Sequence, residues 1–190
     1  MDTKGILIAG VGGQGIIRAG DILCRVIMAE GLDVKKSEVH GMAQRGGCVT
    51  SHVRYGTKVY SPIAKKRDVD ILVSFEKLET LRYLDYLKPD ATVIVNTEEL
   101  YPPSVNIGES SYPSDVVEKI TKTFRNIKVV DAKDIAIRAG NILTVNSVLL
   151  GTLSACLPFR LETWETVLKS AFPARLVEIN LDAFHMGRNV

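Results

Sequence analysis

Ile6-Leu-Ile-Ala-Gly-Val-Gly-Gly-Gln-Gly15 places a short apolar strand directly before glycines at positions 10, 12 and 15, the G-x-G-x-x-G spacing, and Ile16 to Ala29 reads as the helix that follows. Glycines in such a turn allow tight backbone packing and leave amide N–H groups at a helix N-terminus, where an anion is favoured. Gly10, Gly12, Gly13, Gln14 and Gly15 are therefore candidates for contact with a phosphate or with a partner. A dinucleotide fold also needs an acidic side chain about 20 residues on, after the second strand, to hold the ribose hydroxyls. Glu30 has the spacing but ends the helix before Gly31, and Glu38 lies late. The other reading is that the glycines only permit a close strand–helix turn or the approach of a partner.

Outward from this turn, apolar strands alternate with amphipathic helices, the pattern of an α/β layered sheet. Leu32 to Val39 reads as a second strand. Cys48 to Tyr55 alternates, with Val49, Ser51, Val53 and Tyr55 on one side and Thr50, His52 and Arg54 on the other, which predicts a half-buried strand. Gly56-Thr57 then suits a two-residue turn, with a return strand over Lys58 to Ser61. Asp70 to Phe75 and Ala91 to Thr97 read as buried strands, separated by Leu78, Leu81, Leu84 and Leu87 at helical spacing. Prolines at 102, 103 and 113 mark a long loop, and a helix over 115–124 precedes a strand over 127–130. Thr144 to Cys156 is apolar nearly all round, as a helix buried on several sides or against another chain would be, and Leu161, Trp164, Leu168 and Ala171 stripe another. The expected fold is α/β: a Rossmann-like open mixed sheet flanked by helices, with an inserted β-hairpin and a helical C-terminal third, residues 1–190 forming one domain.

The 190 residues are 46% hydrophobic and 24% charged, with a formal net charge of +2, ordinary for a globular chain with a real core. Lys35-Lys36 and Lys65-Lys66-Arg67 lack interleaved aromatics, so they read as solvated faces and no nucleic-acid partner is expected. No signal layout and no apolar run of bilayer length is visible, which predicts a cytoplasmic protein with no membrane partner. Cys24, Cys48 and Cys156 are odd in number and far apart, and His40, His52 and His185 have no metal spacing. Buried thiols are expected, and no metal site.

Chemistry is harder to find. Ser37, Ser51 and Ser61 lie in no G-x-S-x-G elbow, and Glu76 and Glu79, three apart on one helix, fit a solvated face at least as well as a carboxylate pair. No catalytic residue can be assembled from spacing, so the chain reads as a subunit whose chemistry is completed elsewhere. Gln44, Arg45, Gly46 and Gly47 form the most unusual stretch, a guanidinium followed by two glycines. Arg45 could close a tight turn through an internal ion pair, contact another subunit, or bind an acidic substrate or phosphate.

The segments Gly10-Val-Gly-Gly-Gln-Gly15, Ser37-Glu-Val-His-Gly-Met-Ala-Gln-Arg-Gly-Gly47, Ser51-His-Val-Arg54, Ser61-Pro62, Phe75-Glu76, Leu81-Arg82, Asn96-Thr97, Asn146 to Gly151 and Glu178 to Phe184 span almost the whole chain in order. Together they resemble the gamma-type domain of the 2-oxoacid:ferredoxin oxidoreductases, most closely its indolepyruvate branch. Cys48 and Thr50 depart from the family's pattern, which usually has other small residues there. The resemblance implies oxidative decarboxylation of an aryl 2-oxoacid on thiamine diphosphate, transfer of the acyl group to coenzyme A, and passage of electrons to ferredoxin. It implies further that thiamine diphosphate, Mg and [4Fe-4S] clusters sit in a larger alpha subunit, with no cofactor in this chain, and that the assembly is a hetero-oligomer. Three scattered cysteines agree, being too few for a four-cysteine cluster. Within the family the alternative is the gamma subunit of a pyruvate, 2-oxoglutarate or branched-chain enzyme. Outside it, the alternatives are a stand-alone NAD(P)-binding oxidoreductase and a nucleotide-sensing module.

Overall fold

The structure is a computed structural model that describes residues 2–41 and 47–190. Strand β1 (Lys4–Val11) leads through the glycine turn into α1 (Ile16–Ala29), which returns the chain to β2 (Asp33–His40) and β3 (Cys48–Gly56). There follow β4 (Val69–Ser74), α2 (Lys77–Arg82), β5 (Leu87–Asn96), the single turn α3 (Pro103–Asn106), α4 (Val116–Thr123), β6 (Asn126–Val130) and α5 (Ala132–Arg138). The chain ends in α6 (Val145–Ser154), α7 (Leu161–Ala171) and α8 (Ala174–Arg188). Among the described residues the sheet has six strands in the order β2-β3-β1-β4-β5-β6. β1, β4, β5 and β6 are parallel, whereas β3 is antiparallel to both of its neighbours.

Strand alternation separates two cores. Ile6 and Ile8 of β1, Ile71 and Val73 of β4 and Ile94 of β5 point to the face covered by α1 and α5–α8. Leu7, Ala9, Leu72, Val93 and Val95 point to the other face, under α4. These central strands are buried on both sides, so each reads as a continuous apolar run.

The mixed open sheet and helical last third match expectation, but the hairpin is elsewhere. It is formed by β2 and β3, paired from Asp33 opposite Gly56 to His40 opposite Val49. Lys58 to Ser61 forms no strand. The reason is positional: β1 occupies one edge of β3 and β2 the other, leaving no free backbone for a return strand. The same central position buries both faces of β3, including Thr50 and His52, which alternation alone had made half-exposed. His52 Nδ1 accepts the Ala64 N–H at 3.3 Å, and Arg54 pairs with Asp68 at 3.0 Å.

The leucine series after β4 is also divided. α2 stops at Arg82, a 3₁₀ turn spans Leu84–Tyr86, and Leu87 opens β5. Pro89 falls where the β4–β5 register slips between Val69 and Ile71, a position at which its missing N–H costs no ladder bond. Of the basic clusters, Lys36 is less solvated than expected, being held between Asp21 and Glu38.

Asp70 joins three strands at the end opposite the glycine turn. Its carboxylate accepts from the Gly5 N–H at 2.8 Å, from Lys4 Nζ at 3.1 Å and from Lys88 Nζ at 2.8 Å. Burial pushes its pKa up, but Lys88, the Gly5 amide and Lys4 together outweigh burial and hold it below the ordinary value. A depressed carboxylate pKa contributes stability that is complete above the unfolded value and is lost as pH falls through the folded one. Asp70→Asn should therefore lower stability at pH 7 by about 2 kcal/mol. In denaturant melts, the gap between variant and wild type should narrow as pH falls below about 4.

Candidate functional site

The chain order turns at the boundary between β1 and β4: α1 carries it from β1 to one side of the sheet, while β4, β5 and β6 are added on the other. In open α/β sheets a crevice forms at such a point, outside the carboxyl ends of the strands. Here a cleft of about 450 Å³ lies there, lined by Gly13, Gln14, Gly15, Phe75, Asn96 and Asn146 with Arg18, Glu98, Lys133 and the apolar Leu100, Ile142, Leu143 and Val145.

Three carboxamides from distant segments fix the turn. Gln14 Oε1 accepts the Val11 N–H at 2.8 Å while its Nε2 donates to the Phe75 carbonyl at 3.0 Å. Asn96 Nδ2 donates to the same carbonyl at 3.0 Å, and its Oδ1 accepts the Ala132 N–H at the start of α5. Asn146 Nδ2 donates to the Gly15 carbonyl at 3.1 Å. Gly15 has φ of 78°, and a Cβ there would stand 2.2 Å from Asn146 Nδ2. Gly10 is equally confined, its Cβ position lying 2.7 Å from Gln14 Oε1 and 2.9 Å from Phe75 Cβ. Sequence reading selected Gly10, Gln14 and Gly15 individually. It did not show that Gln14, Asn96 and Asn146 converge, since their separation along the chain hides it.

Of the predicted loop residues, Gly12 donates its N–H to the Gly47 carbonyl at 2.8 Å and Gln14 donates its own to Val11 at 3.1 Å. Two amides that a pyrophosphate would use are thus bonded internally. Gly13, at φ of 104° and with open space beside it, faces the cleft. Gly15 caps α1 without a side-chain hydrogen bond, so the first turn has no side-chain acceptor for its amides, and Gly15 itself lines the cleft. Arg18 bonds the Ala171 carbonyl at 3.0 Å and lies over the Phe172 ring at 4.6 Å, so its charge is anchored at the rim. Glu30 pairs with Arg160 at 3.3 Å and Glu38 with Lys36, so neither is placed for a ribose. Gln44, Arg45 and Gly46 lie outside the described residues.

Glu76 and Glu79, expected on a solvated face, are buried, at 1% and 5% exposure. Glu76 accepts the Glu79 N–H at 2.8 Å as the N-cap of α2, the Leu100 N–H at 3.2 Å and the Tyr112 hydroxyl at 2.6 Å. That hydroxyl in turn accepts the Leu78 N–H at 3.0 Å. A carboxylate directly before a helical run was the available cue to a cap. Nothing local announced that the segment from Leu100 to Tyr112 folds over it.

The thiols do not form a donor set. Cys24 is on α1, Cys48 on β3 and Cys156 beyond α6; all three are free and half-buried. Burial pushes the Cys24 and Cys48 pKa values to about 11 and raises that of Cys156, which keeps them protonated at neutral pH. A cluster or zinc ion needs thiolates on one locus, so these residues do not fit one. Among the described residues no group of three or more His, Cys, Asp or Glu is arranged around a metal. Among them also, no helix is long and apolar enough to cross a membrane.

Residues 5–190 match the family model described as pyruvate ferredoxin/flavodoxin oxidoreductase. The chain is 37% identical over 188 residues to the indolepyruvate oxidoreductase subunit IorB of Archaeoglobus fulgidus, covering 97% of this chain and 93% of that one. To the subunit of the same name in Pyrococcus horikoshii it is 38% identical over 192 residues, with 98% and 95% covered. Its fold is shared with a solved 2-oxoglutarate:ferredoxin oxidoreductase from Magnetococcus marinus, with 2-oxoglutarate, coenzyme A and succinyl-CoA bound. That match has a TM-score of 0.77 at 22% identity and spans all of this chain but 31% of the other.

Proposed function

The chain belongs to the pyruvate ferredoxin/flavodoxin oxidoreductase family, and from that premise we propose that it is the small subunit of an indolepyruvate:ferredoxin oxidoreductase. In this reading residues 1–190 form one gamma-type domain that packs on a larger alpha subunit. The companion carries thiamine diphosphate, Mg and [4Fe-4S] clusters, oxidises aryl 2-oxoacids and passes electrons to ferredoxin. Three free thiols accord with work in the reducing cytoplasm.

The observation that carries the reading is the cleft beside the glycine turn. Its described lining is backbone, carboxamide and apolar side chain with Arg18 and Lys133 as cations against one carboxylate, Glu98, a surface whose net positive charge suits an anion and whose described residues offer no nucleophile–base pair to transform it. Coenzyme A, a polyanion on a long apolar-to-amide stem, suits this surface, with its phosphates toward Gly13, the α1 N-terminus and Lys133. This chain then shapes the access of the acyl acceptor to chemistry performed next door. The carboxamide network keeps the turn from moving as that ligand enters and leaves. A stand-alone nicotinamide enzyme fits less well, because the Gly12 amide is already taken and Glu30 and Glu38 are engaged elsewhere.

Co-expression with the larger subunit should yield a complex that reduces ferredoxin with indolepyruvate and coenzyme A, the isolated chain being inactive. Reduction with pyruvate but not indolepyruvate would move the assignment to the pyruvate branch. In the complex, Lys133→Ala should raise KM for coenzyme A about three- to tenfold while kcat stays within about twofold, the signature of lost ground-state anion binding. An unchanged KM would remove Lys133 from the coenzyme A path.

A further inference from the structure

Between β3 and β4 the chain makes an excursion over residues 57–68, across the face of the sheet that carries His52. Its backbone is tied down along its length. Asp33 accepts the Val59 N–H at 2.8 Å, His52 Nδ1 accepts the Ala64 N–H, and the Asp85 and Tyr86 carbonyls accept the Arg67 and Asp68 N–H groups at 3.0 Å each. Val59 and Ala64 are buried and anchor the loop. Between these anchors Tyr60 and Ile63 stand out to solvent, 88% and 53% exposed. Tyr60 makes no hydrogen bond or ring contact with the described residues.

The charges of this loop are unbalanced in one direction. Lys58 lies 3.9 Å from Asp33, Lys66 3.0 Å from Asp85 and Arg54 3.0 Å from Asp68, so the three aspartates around the loop are matched. Lys65 and Arg67 are exposed and have no carboxylate partner among the described residues. Arg67 is also the one described non-glycine residue with positive φ, at 59°. Glycine would adopt that conformation at lower cost, so an arginine there points to a use for its side chain.

A tyrosine and an isoleucine held out by a fixed backbone, with two unpaired cations in the same loop, have the composition of a protein-binding hot spot, and little backbone freedom is left to lose on binding. The positive charge repels a second copy of the same loop and selects a surface bearing carboxylates. The apolar centre favours a lasting contact over a passing electron-transfer encounter. We propose that Tyr60 and Ile63, with Lys65 and Arg67 beside them, form a docking surface for the larger subunit, whose facing surface is an apolar pocket rimmed by carboxylates. The inference rests on the subunit assignment made above.

The test is the affinity of the full chain for the larger subunit at low and high salt, measured alongside the melting temperature of the chain alone. Tyr60→Ala should weaken the complex at least tenfold through loss of an aromatic anchor. Lys65→Glu combined with Arg67→Glu should weaken it by a similar factor at low salt, chiefly through slower association, and by less at high salt. These side chains are exposed, so the melting temperature of the free chain should stay at its wild-type value. Wild-type affinity in both variants would overturn the docking surface and leave the subunit assignment standing. So would intact assembly with a raised KM for ferredoxin, which would give the loop to the electron acceptor, or self-association of the free chain that is lost in Tyr60→Ala, which would give it to a second copy. Failure of the unaltered chain to bind the larger subunit would overturn both.

Discussion

Gly187→Ala is expected to cost about 3 kcal/mol or more, because the added methyl group meets main chain that cannot rotate away. A Cβ on Gly187 would stand 2.1 Å from the Val148 carbonyl oxygen and 2.7 Å from its carbon. The contact is reciprocal: a Cβ on Gly151 would lie 2.0 Å from the Phe184 carbonyl oxygen. α6 and α8 therefore cross backbone to backbone, and the Thr152 hydroxyl donates to the Gly187 carbonyl at 2.8 Å across the same contact. Separating the helices would open the packing of Val148, Trp164 and Phe184, all fully buried. For a chain of this size the loss corresponds to a melting temperature lower by about 6 to 12 °C. A wild-type melting curve would show that α6 and α8 can part without cost, and the tight crossing would lose its role. Helix periodicity had marked 144–156 as apolar all round, and the crossing explains why so broad a buried surface is needed.

Glu76→Ala should be comparably severe, at about 3 kcal/mol, through a different mechanism. The substitution leaves the Glu79 and Leu100 amides and the Tyr112 hydroxyl without their acceptor in a region where Glu76 itself is 1% exposed. Burial and the bond to Glu76 both raise the pKa of Tyr112, so its hydroxyl remains a donor throughout the working pH range. Beyond the fall in melting temperature, hydrogen exchange should separate this case from ordinary core damage. The Leu100 amide and the backbone over 98–112 should lose protection well before β4 and β5 do, since Glu76 holds that segment to the start of α2 at both Leu100 and Tyr112. Uniform loss of protection across the sheet would mean that the carboxylate is part of the global core instead.

The legible parts of this molecule are those whose cause is local. Ile6 to Ile8 run apolar because β1 is buried on both faces, and the glycines that follow are required by positive φ at Gly13 and Gly15. The stripe of Leu161, Trp164 and Leu168 is likewise a direct image of one helix face meeting a core. Three errors share the opposite character. A return strand over 58–61 was plausible until β1 and β2 took both edges of β3. Leu84 and Leu87 kept a helical spacing by coincidence across a 3₁₀ turn and a strand. Glu76 and Glu79 look like surface residues until Leu100 and Tyr112 close over them.

From its sequence alone this protein could be read as an α/β sheet with a glycine turn and as a relative of the 2-oxoacid:ferredoxin oxidoreductases. Periodicity, turn chemistry and side-chain inventory are properties of neighbouring positions, so they survive without coordinates. Only the tertiary structure set Gln14, Asn96 and Asn146 around one turn and filled both oxygens of Glu76. Whether a buried polar atom has a partner depends on which distant segments arrive beside it, and no local pattern in the chain encodes that.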